Sequence, residues 1–221
     1  MAAYGELTQN HPLQMVMRAQ ALIAAIDLKI SQFVHAIVQH PNFKTLERAW
    51  RSVSQLMVDL GGAAKIARAN IKVKLLDISW QEVHKDQAKA LEFDQSLLFR
   101  KIYSDAFGSP GGEPFGLIIG DYAIRHRSSA AYPFDDMATL ANLSQIGMAA
   151  FVPMVFSPAP EFFGVSSFSD LGPQVDIGRI FQAPEYAAWR RLRANEASRF
   201  LSLVMPTRLF RSRQHKIITK A

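Results

Sequence analysis

The 221-residue sequence contains no cysteine. The absence of thiols excludes disulfide bonds, thiolate zinc sites, iron–sulfur clusters and cysteine nucleophiles, and it is compatible with a reducing cytoplasm. Hydrophobic residues make up 49% of the chain and charged residues 20%, as in ordinary globular proteins. A chain of this length buries a sizeable core without covalent cross-links.

Long uninterrupted apolar runs are also missing. The most apolar stretches are residues 15–26, which contain Arg18 and Gln20, and residues 148–156, which contain Pro153. Neither approaches the roughly 20 apolar residues that a membrane-spanning helix needs, and the polar first residues do not form an export signal. The sequence therefore predicts a soluble, cytoplasmic protein without membrane insertion.

The excess of positive over negative charge lies at the C-terminal end. The net charge is +6, and residues 207–221 supply +5 of it without an acidic residue. The rest of the chain is near neutral, which argues against a general polyanion-binding surface and a nucleic-acid partner. A solvated basic tail and a tail that binds RNA or lipid phosphates both stay open, because clustered Lys and Arg suffice for phosphate binding.

Motifs of catalysis and cofactor binding are absent from the sequence. It has no GxSxG, no GxxxxGK[ST] and no GxGxxG after a predicted strand. The glycines of residues 111–116 precede a strand, so they cannot present a helix N-terminus to phosphate. The six histidines show no spacing typical of a zinc site. We predict no catalytic residue, no cofactor and no metal ligand.

One cluster keeps an enzyme hypothesis open as an alternative. Asp121, Arg125 and His126 lie at the end of a predicted strand, where α/β enzymes often carry catalytic groups. Asp135 and Asp136 could add carboxylates. Asp136 suits the first turn of a helix equally well, and Asp121 with Arg125 could be a simple ion pair.

The N-terminal third has the pattern of two amphipathic helices. Ile26, Ile30, Phe33 and Ile37 are spaced by four, three and four residues and so share one face of the first helix. Pro41 ends that helix, Asn42 is the expected N-cap of the second, and residues 61–62 end the second. These apolar faces are expected to pack in a core or against a partner.

The remainder alternates between strand and helix patterns. Strands are predicted at residues 71–78, 115–122, 151–156 and 200–205, and helices at 80–103, with Asp94 as an N-cap, 133–149 and 184–197. This order predicts an α/β fold with a mixed, partly parallel sheet flanked by helices and preceded by the two N-terminal helices. The predicted domains are an N-terminal helical segment at 1–62, an α/β domain at 63–206 and a basic tail at 207–221.

Four large aromatic residues are candidate interface or core residues. Phe162 and Phe163 occupy a loop rich in proline, serine and glycine, whereas Trp50 and Trp189 stand beside arginines on predicted helices. Aromatic residues with arginine are typical anchors of protein interfaces. Core packing beneath a loop explains each of them equally well.

Five blocks of sequence occur in the order of one known family. They are HPxFxxLExxWR at 40–51, DQSxxFxKIY at 94–103, GGEPFG at 111–116 with GDY at 120–122, SPAPEFFG at 157–164 and FQxPEYxxWxxLR at 181–193, followed by Met205-Pro206. Together they resemble the large sheath subunit of the type VI secretion system, called TssC or EvpB/ImpC-like. The resemblance covers residues 20–206.

The resemblance implies a mechanical function. The family's large subunit pairs with a small, TssB-like sheath subunit, and the pairs assemble with other sheath subunits into a contractile tube around an Hcp-like inner tube. Strands added to a neighbour's sheet connect the subunits, and a ClpV-type AAA+ ATPase disassembles the contracted sheath. Family members are longer, so we expect a short or truncated member, either a sheath-forming subunit or a non-assembling, regulatory paralogue.

Overall fold

A computed structural model describes residues 6–172 and 175–205, with side chains from residue 13 onward. Contacts divide these residues into two compact units, one ending at Val73 and one beginning at Lys74. We describe each unit by itself. The predicted basic tail at 207–221 lies outside the described residues, and the boundary at 62/63 stays a prediction.

The first unit is built from helices. They are α1 (Glu6–Gln39), α2 (Pro41–Asp59) and α3 (Gly62–Arg68), so the two predicted N-terminal helices are confirmed. The N-cap of α2 is His40 rather than Asn42, because its Nδ1 accepts a hydrogen bond from the Asn42 backbone N–H at 3.2 Å. Pro41 occupies the first position of the helix, where its missing N–H costs nothing.

The first unit has little core of its own. α2 has no buried residue, and in α3 only Ile66 is buried. The side chains of α1 from Leu13 to Ala36 are exposed. In most proteins the stability of a helix comes from packing its apolar face, and the described residues supply little of that packing to α1 and α2.

Residues 71–79 do not form a strand of the sheet, so the strand predicted at 71–78 is wrong. The second part of this segment is fixed by side chains instead. Lys74 Nζ lies 3.5 Å from Glu113 Oε2, and the Ile78 carbonyl accepts a hydrogen bond from Tyr122 Oη at 2.8 Å. Alternating apolar residues specify a strand only where another strand pairs with it.

The second unit begins with α4 (Trp80–Lys89) and the short α5 (Leu97–Phe99), which continues into one π-helical turn at Arg100–Ser104. The predicted N-cap at Asp94 is wrong, because Asp94 lies in a 3₁₀ turn. Ser96 caps α5 by accepting from the Phe99 N–H. The Asp86 carboxylate of α4 adds two bonds, from the Leu97 N–H at 2.9 Å and the Leu98 N–H at 3.1 Å. The N–H groups left free at a helix start are thus satisfied from a neighbouring helix.

The sheet consists of β1 (Ile118–Ile124), β2 (Met154–Pro158) and β3 (Leu201–Leu203), paired in parallel in that order. The predicted α/β class with parallel pairing is confirmed. Parallel neighbours need a crossover, and α6 (Asp136–Ala149) connects β1 to β2. The chain between β2 and β3 forms α7 (Ile177–Ile180) and α8 (Ala187–Ala194) among 3₁₀ turns.

α6 is the centre of the core of the second unit. Buried side chains lie on several of its sides, including Met137, Leu140, Leu143 and Ile146. A helix that is apolar nearly all round is one that is covered on several sides. The sheet, α4, α8 and the 3₁₀ turn at Glu196–Phe200 supply those contacts.

Gly120 allows an aromatic layer to lie on β1. A Cβ atom at this position would meet the Phe156 ring at 2.4 Å, so only glycine lets that ring approach the strand. The Trp80 ring lies 4.9 Å from the Tyr122 ring and 6.1 Å from the Phe156 ring. This layer packs α4 on the sheet.

The C-terminal end of α6 contains a residue that is unusual for its position. The Val152 N–H donates to the Gly147 carbonyl and the Phe151 N–H to the Met148 carbonyl, which is the pattern of a Schellman motif. The left-handed residue of that motif is usually glycine, yet here it is Phe151, with φ at +52°. A side chain in this conformation costs roughly 1 kcal/mol.

We expect Phe151→Gly to raise the free energy of unfolding by about 1 kcal/mol, because glycine adopts positive φ without a Cβ clash. Phe151→Ala keeps the Cβ atom and should give no such gain. Urea unfolding followed by the fluorescence of Trp80 and Trp189 measures both. A glycine variant no more stable than the alanine variant would contradict the assigned strain.

Candidate assembly surfaces

One side of α1 forms an exposed apolar surface, which we call the α1 surface. It is composed of Ile26, Ile30, Phe33 and Ile37, which share one face of the helix and are all exposed; Phe33 is 72% exposed. Asp27, Ser31 and His35 occupy another side of the same helix. A row of this length resembles the buried stripe of a helix pair rather than scattered surface residues.

α2 carries a second, shorter exposed apolar row. It consists of Leu46 and Trp50, which are four residues apart on one face, and Trp50 is 61% exposed. The Arg51 Nε donates to Glu47 Oε1 at 3.0 Å, which places an ion pair on this helix beside the row. Trp50 therefore contributes no core packing within the first unit.

α1 also meets the length and composition criteria of a membrane span. The stretch that meets them is Leu13–Gln39, which has a mean hydropathy of 1.6 in its most apolar part, and no residue of that part is buried. This corrects the expectation that no segment is apolar enough to span a membrane. Arg18 and Gln20 interrupt any unbroken apolar run, but the mean hydropathy of the helix stays high despite them. One such helix is weak support for a membrane protein, since a core helix of a soluble protein and a signal sequence near the N-terminus meet the same criteria.

Phe162, Phe163 and Trp189 lie together in the second unit. Phe162 and Phe163 are buried and Trp189 is half-buried. The Phe162 ring lies 5.1 Å from the Trp189 ring and 5.6 Å from the Phe163 ring, and its carbonyl accepts a hydrogen bond from Tyr186 Oη. Edge-to-face aromatic contacts of this kind stabilise a core.

A small open cavity lies beside β3. Its volume is about 160 Å³, and its walls include the side chains of Leu140, Leu192, Leu201, Leu203 and Trp189. The Trp189 indole N–H is buried and has no hydrogen-bond partner among the described residues. Buried donors are nearly always paired in native proteins, so this indole N–H is an exception in the described part of the chain.

β1 and β3 are the edge strands of the sheet in the described part of the chain. β1 has a register irregularity between Gly120 and Ala123, and its Ile119 is exposed. Edge strands offer unpaired backbone groups to another chain. Neither edge is paired with a further strand in the described part of the chain.

Asp136 corrects the idea that its carboxylate could belong to a catalytic cluster. It is 1% exposed. Oδ1 accepts hydrogen bonds from Trp80 Nε1 at 2.7 Å and Tyr132 Oη at 2.8 Å, and Oδ2 accepts from the Arg125 N–H at 2.7 Å. The carboxylate also lies in the first turn of α6, which favours negative charge. Its role is to hold α4, the end of β1 and the start of α6 together.

Asp121, Arg125 and His126 lie in three different surroundings. Asp121 is exposed on β1. The Arg125 guanidinium lies over the Tyr132 ring, 4.2 Å from its centroid. His126 is buried, with its ring stacked 4.3 Å from the Tyr186 ring. These positions do not form a nucleophile–base pair of the kind that acid–base catalysis needs.

His126 is a buried imidazole with few polar neighbours. Neither ring nitrogen makes a well-formed hydrogen bond among the described residues, and the Glu161 backbone is only a weak polar neighbour. Burial lowers the pKa of His126 below its ordinary value of 6.5, and the Arg127 guanidinium lowers it further, whereas the Glu185 carboxylate and the Glu161 backbone act in the opposite direction. The neutral imidazole is thus the form that the fold accommodates.

Within residues 6–172 and 175–205, no three His, Asp or Glu side chains are grouped so that they could hold a metal ion. The site-like features of the described chain are thus surfaces: the apolar faces of α1 and α2, the two sheet edges and the open cavity. Such features are typical of proteins that assemble.

Comparison with known proteins agrees with this reading. The family described as VipB (EvpB/VC_A0108), tail sheath N-terminal domain, matches residues 20–219. The chain belongs to this tail sheath family. The match includes most of the segment set apart above as a basic tail.

A curated relative extends the comparison. The type VI secretion system sheath protein TssC1 of Pseudomonas aeruginosa is 34% identical over 194 residues, which are 87% of this chain and 37% of that protein. The chain thus spans less than half the length of this relative. The resemblance to the large sheath subunit is confirmed, and the tail sheath family is a structural family rather than a known class of enzymes.

Two structural residues escaped the sequence analysis of this tail sheath protein. Asp136 was weighed as a carboxylate of a catalytic cluster and as a first-turn residue, but its donors at Trp80, Arg125 and Tyr132 are spread along the chain without a motif. Phe151 stood at the start of a predicted strand, and no sequence signal marks its positive φ.

We expect Asp136→Ala to lower the free energy of unfolding by about 3 kcal/mol, because it removes the buried acceptor of three part-buried donors. Asp135→Ala is the matched control. It removes the side-chain bond to the Ala138 N–H at the exposed N-cap, and such a loss costs about 1 kcal/mol. Urea unfolding measures both variants, and equal losses would contradict the role of Asp136 described here.

A second prediction concerns the loss of stability at acid pH. The folded state holds His126 at a lowered pKa, so the stability linked to it is present above pH 6.5 and is lost as the pH falls below that value. His126→Phe should flatten this loss and stabilise the protein at pH 7, because a buried unpaired group disappears. Urea unfolding from pH 7.5 to 5 measures the effect, with the exposed His35→Gln as control. An acid-induced loss unchanged in His126→Phe would assign the titration to another group.

Proposed function

We propose that this chain is a structural subunit of a type VI secretion contractile sheath and binds a small, TssB-like sheath subunit through the α1 surface. The observation that carries the proposal is the exposure of Ile26, Ile30, Phe33 and Ile37 on one helix face. Membership of the tail sheath family supports it.

A protein partner explains the α1 surface better than a lipid bilayer does. Arg18, Asp27 and Lys29 lie within the qualifying stretch Leu13–Gln39. A charged residue near the centre of a membrane-spanning helix costs roughly 2.5–3.5 kcal/mol. On a helix that pairs along one face, the same residues remain in water on the other sides.

α2 extends the proposed interface. Trp50 is exposed in the isolated chain, and a partner helix that covers it would bury a large aromatic anchor. The family blocks include this tryptophan, which supports a shared role.

The remaining partners follow from sheath assembly. The edge strands β1 and β3 are available to strands of neighbouring sheath subunits. In the sheath the subunits surround an Hcp-like inner tube, and a ClpV-type AAA+ ATPase disassembles them in the cytoplasm. The function is mechanical: the chain contributes contacts and no catalytic residue.

Co-expression with the small sheath subunit tests the proposal. We expect a stable complex with the full chain. Ile26→Glu combined with Phe33→Glu should weaken it about 100-fold or more, because each apolar side chain contributes 1.5–3 kcal/mol when buried. Affinity is measured by titration calorimetry or by the yield of co-purified complex.

Ser31→Glu is the matched control, since it adds a charge to the same helix away from the α1 surface. The control should bind within a few fold of the wild type. A control as weak as the double variant would contradict the assignment of the face. Vesicle flotation of a chain that does not bind the small subunit would favour the membrane alternative instead.

A further inference from the structure

His126 lies where the carboxyl ends of β1 and β2 meet. It follows β1 by two residues, and the 3₁₀ turn Pro160–Phe163 comes shortly after β2. The His126 ring is 6% exposed, stacks on the Tyr186 ring at 4.3 Å and lies edge-to-face with the Phe162 ring at 6.1 Å. The imidazole therefore connects the end of β1 to two turns that are distant from it in the sequence.

The 3₁₀ turn Pro184–Tyr186, which carries the stacked tyrosine, has two polar contacts with other elements in the described chain. Tyr186 Oη donates to the Phe162 carbonyl at 3.0 Å. Glu185 Oε2 lies 3.7 Å from Arg127 Nη1, but this pair is exposed to water and contributes little. Since the turn belongs to no strand ladder, its contact with the imidazole is a substantial part of what holds it in place.

The fold around His126 accommodates the neutral ring and not the charged one. An imidazolium has two N–H donors, and neither ring nitrogen makes a well-formed hydrogen bond among the described residues. Arg127 of the same segment, Glu185 of the turn and the Glu161 backbone are the charged and polar groups that face the ring; burial first, and then Arg127, lower the pKa of His126. The Tyr186 ring attracts a cation, but it replaces neither the water nor the acceptors that a buried charge needs.

We propose that His126 is a pH-sensitive latch: when its imidazole takes up a proton from solvent, its contact with Tyr186 breaks and the turn Pro184–Tyr186 separates from the end of β1. Loss of the proton closes the latch again. The core around α6 stays folded, because Leu140 and Ile146 are buried without contact to the histidine ring. The latch goes beyond the proposed function and does not depend on it, since every residue of the latch belongs to the second unit.

Hydrogen exchange of the full chain at pH 7.5 and 5.5, read by mass spectrometry, tests the latch. Carboxylates of ordinary pKa stay ionised in this range, so histidines are the side chains that titrate. Opening of a site that frees a buried imidazole rises up to about tenfold for each pH unit below the ordinary pKa of 6.5. After correction for intrinsic exchange, we expect amides at 157–164 and 181–187 to lose protection about three- to tenfold at pH 5.5, and those of α6 less than about twofold.

Two variants separate the proton from the packing. His126→Phe keeps a stacked ring without a titratable nitrogen, so the difference between the two pH values should disappear. Tyr186→Phe removes the hydrogen bond to the Phe162 carbonyl, so exchange should rise at both pH values while their ratio stays that of the wild type. His84→Gln is the matched control and should respond as the wild type does, because His84 contacts Thr139 and Phe134 instead of Tyr186.

Three results would overturn the inference: protection at 181–187 that is the same at both pH values, an acid response that persists in His126→Phe, or an equal loss of protection in α6. The last result would mean that acid unfolds the second unit as a whole, so that His126 sets its stability without acting as a latch. Protection that does not return when the pH is raised again to 7.5 would likewise count against a reversible latch.

Discussion

The burial of one carboxylate constrains most of the second unit. Asp136 accepts hydrogen bonds from a tryptophan of α4, a tyrosine of the preceding turn and the backbone at the end of β1. A buried charge is tolerated only when its hydrogen bonds are complete. The elements that carry the donors therefore have to be in place around the carboxylate in the folded state. The position of α6 on the sheet, and with it the core around Leu140 and Ile146, follows from that requirement.

The two units differ in how far their apolar side chains are buried. The second unit has a core, aromatic layers and a sheet, and it is stable in the way of an ordinary α/β domain. In the first unit many apolar side chains of α1 and α2 are exposed, so the described residues provide little of the packing that normally stabilises such helices. This exposure is the basis of the sheath-subunit proposal, and it agrees with membership of the tail sheath family.

The sequence predicted the features that depend on local spacing. The helices α1 and α2 follow from apolar periodicity, α6 follows from an apolar run of helical length, and the family blocks indicate the sheath relationship. The strand predicted at residues 71–78 is wrong because a strand needs a pairing partner, which the local pattern does not reveal. The structural role of Asp136 was not predicted for a similar reason, because its donors at residues 80, 125 and 132 come together only in the folded chain. The strain at Phe151 was hidden because backbone dihedrals leave no mark in composition.

The spacing of the α1 surface also sets the geometry of any helix laid against it. Ile26, Ile30, Phe33 and Ile37 are spaced by four, three and four residues, the alternation that the a and d positions of a heptad produce. A stripe with this spacing drifts slowly around a straight helix, so a helix packed along it winds around α1 in a left-handed sense. Since α1 has 34 residues, or roughly 51 Å of length, a companion helix of that length would complete only about a third of one supercoil turn.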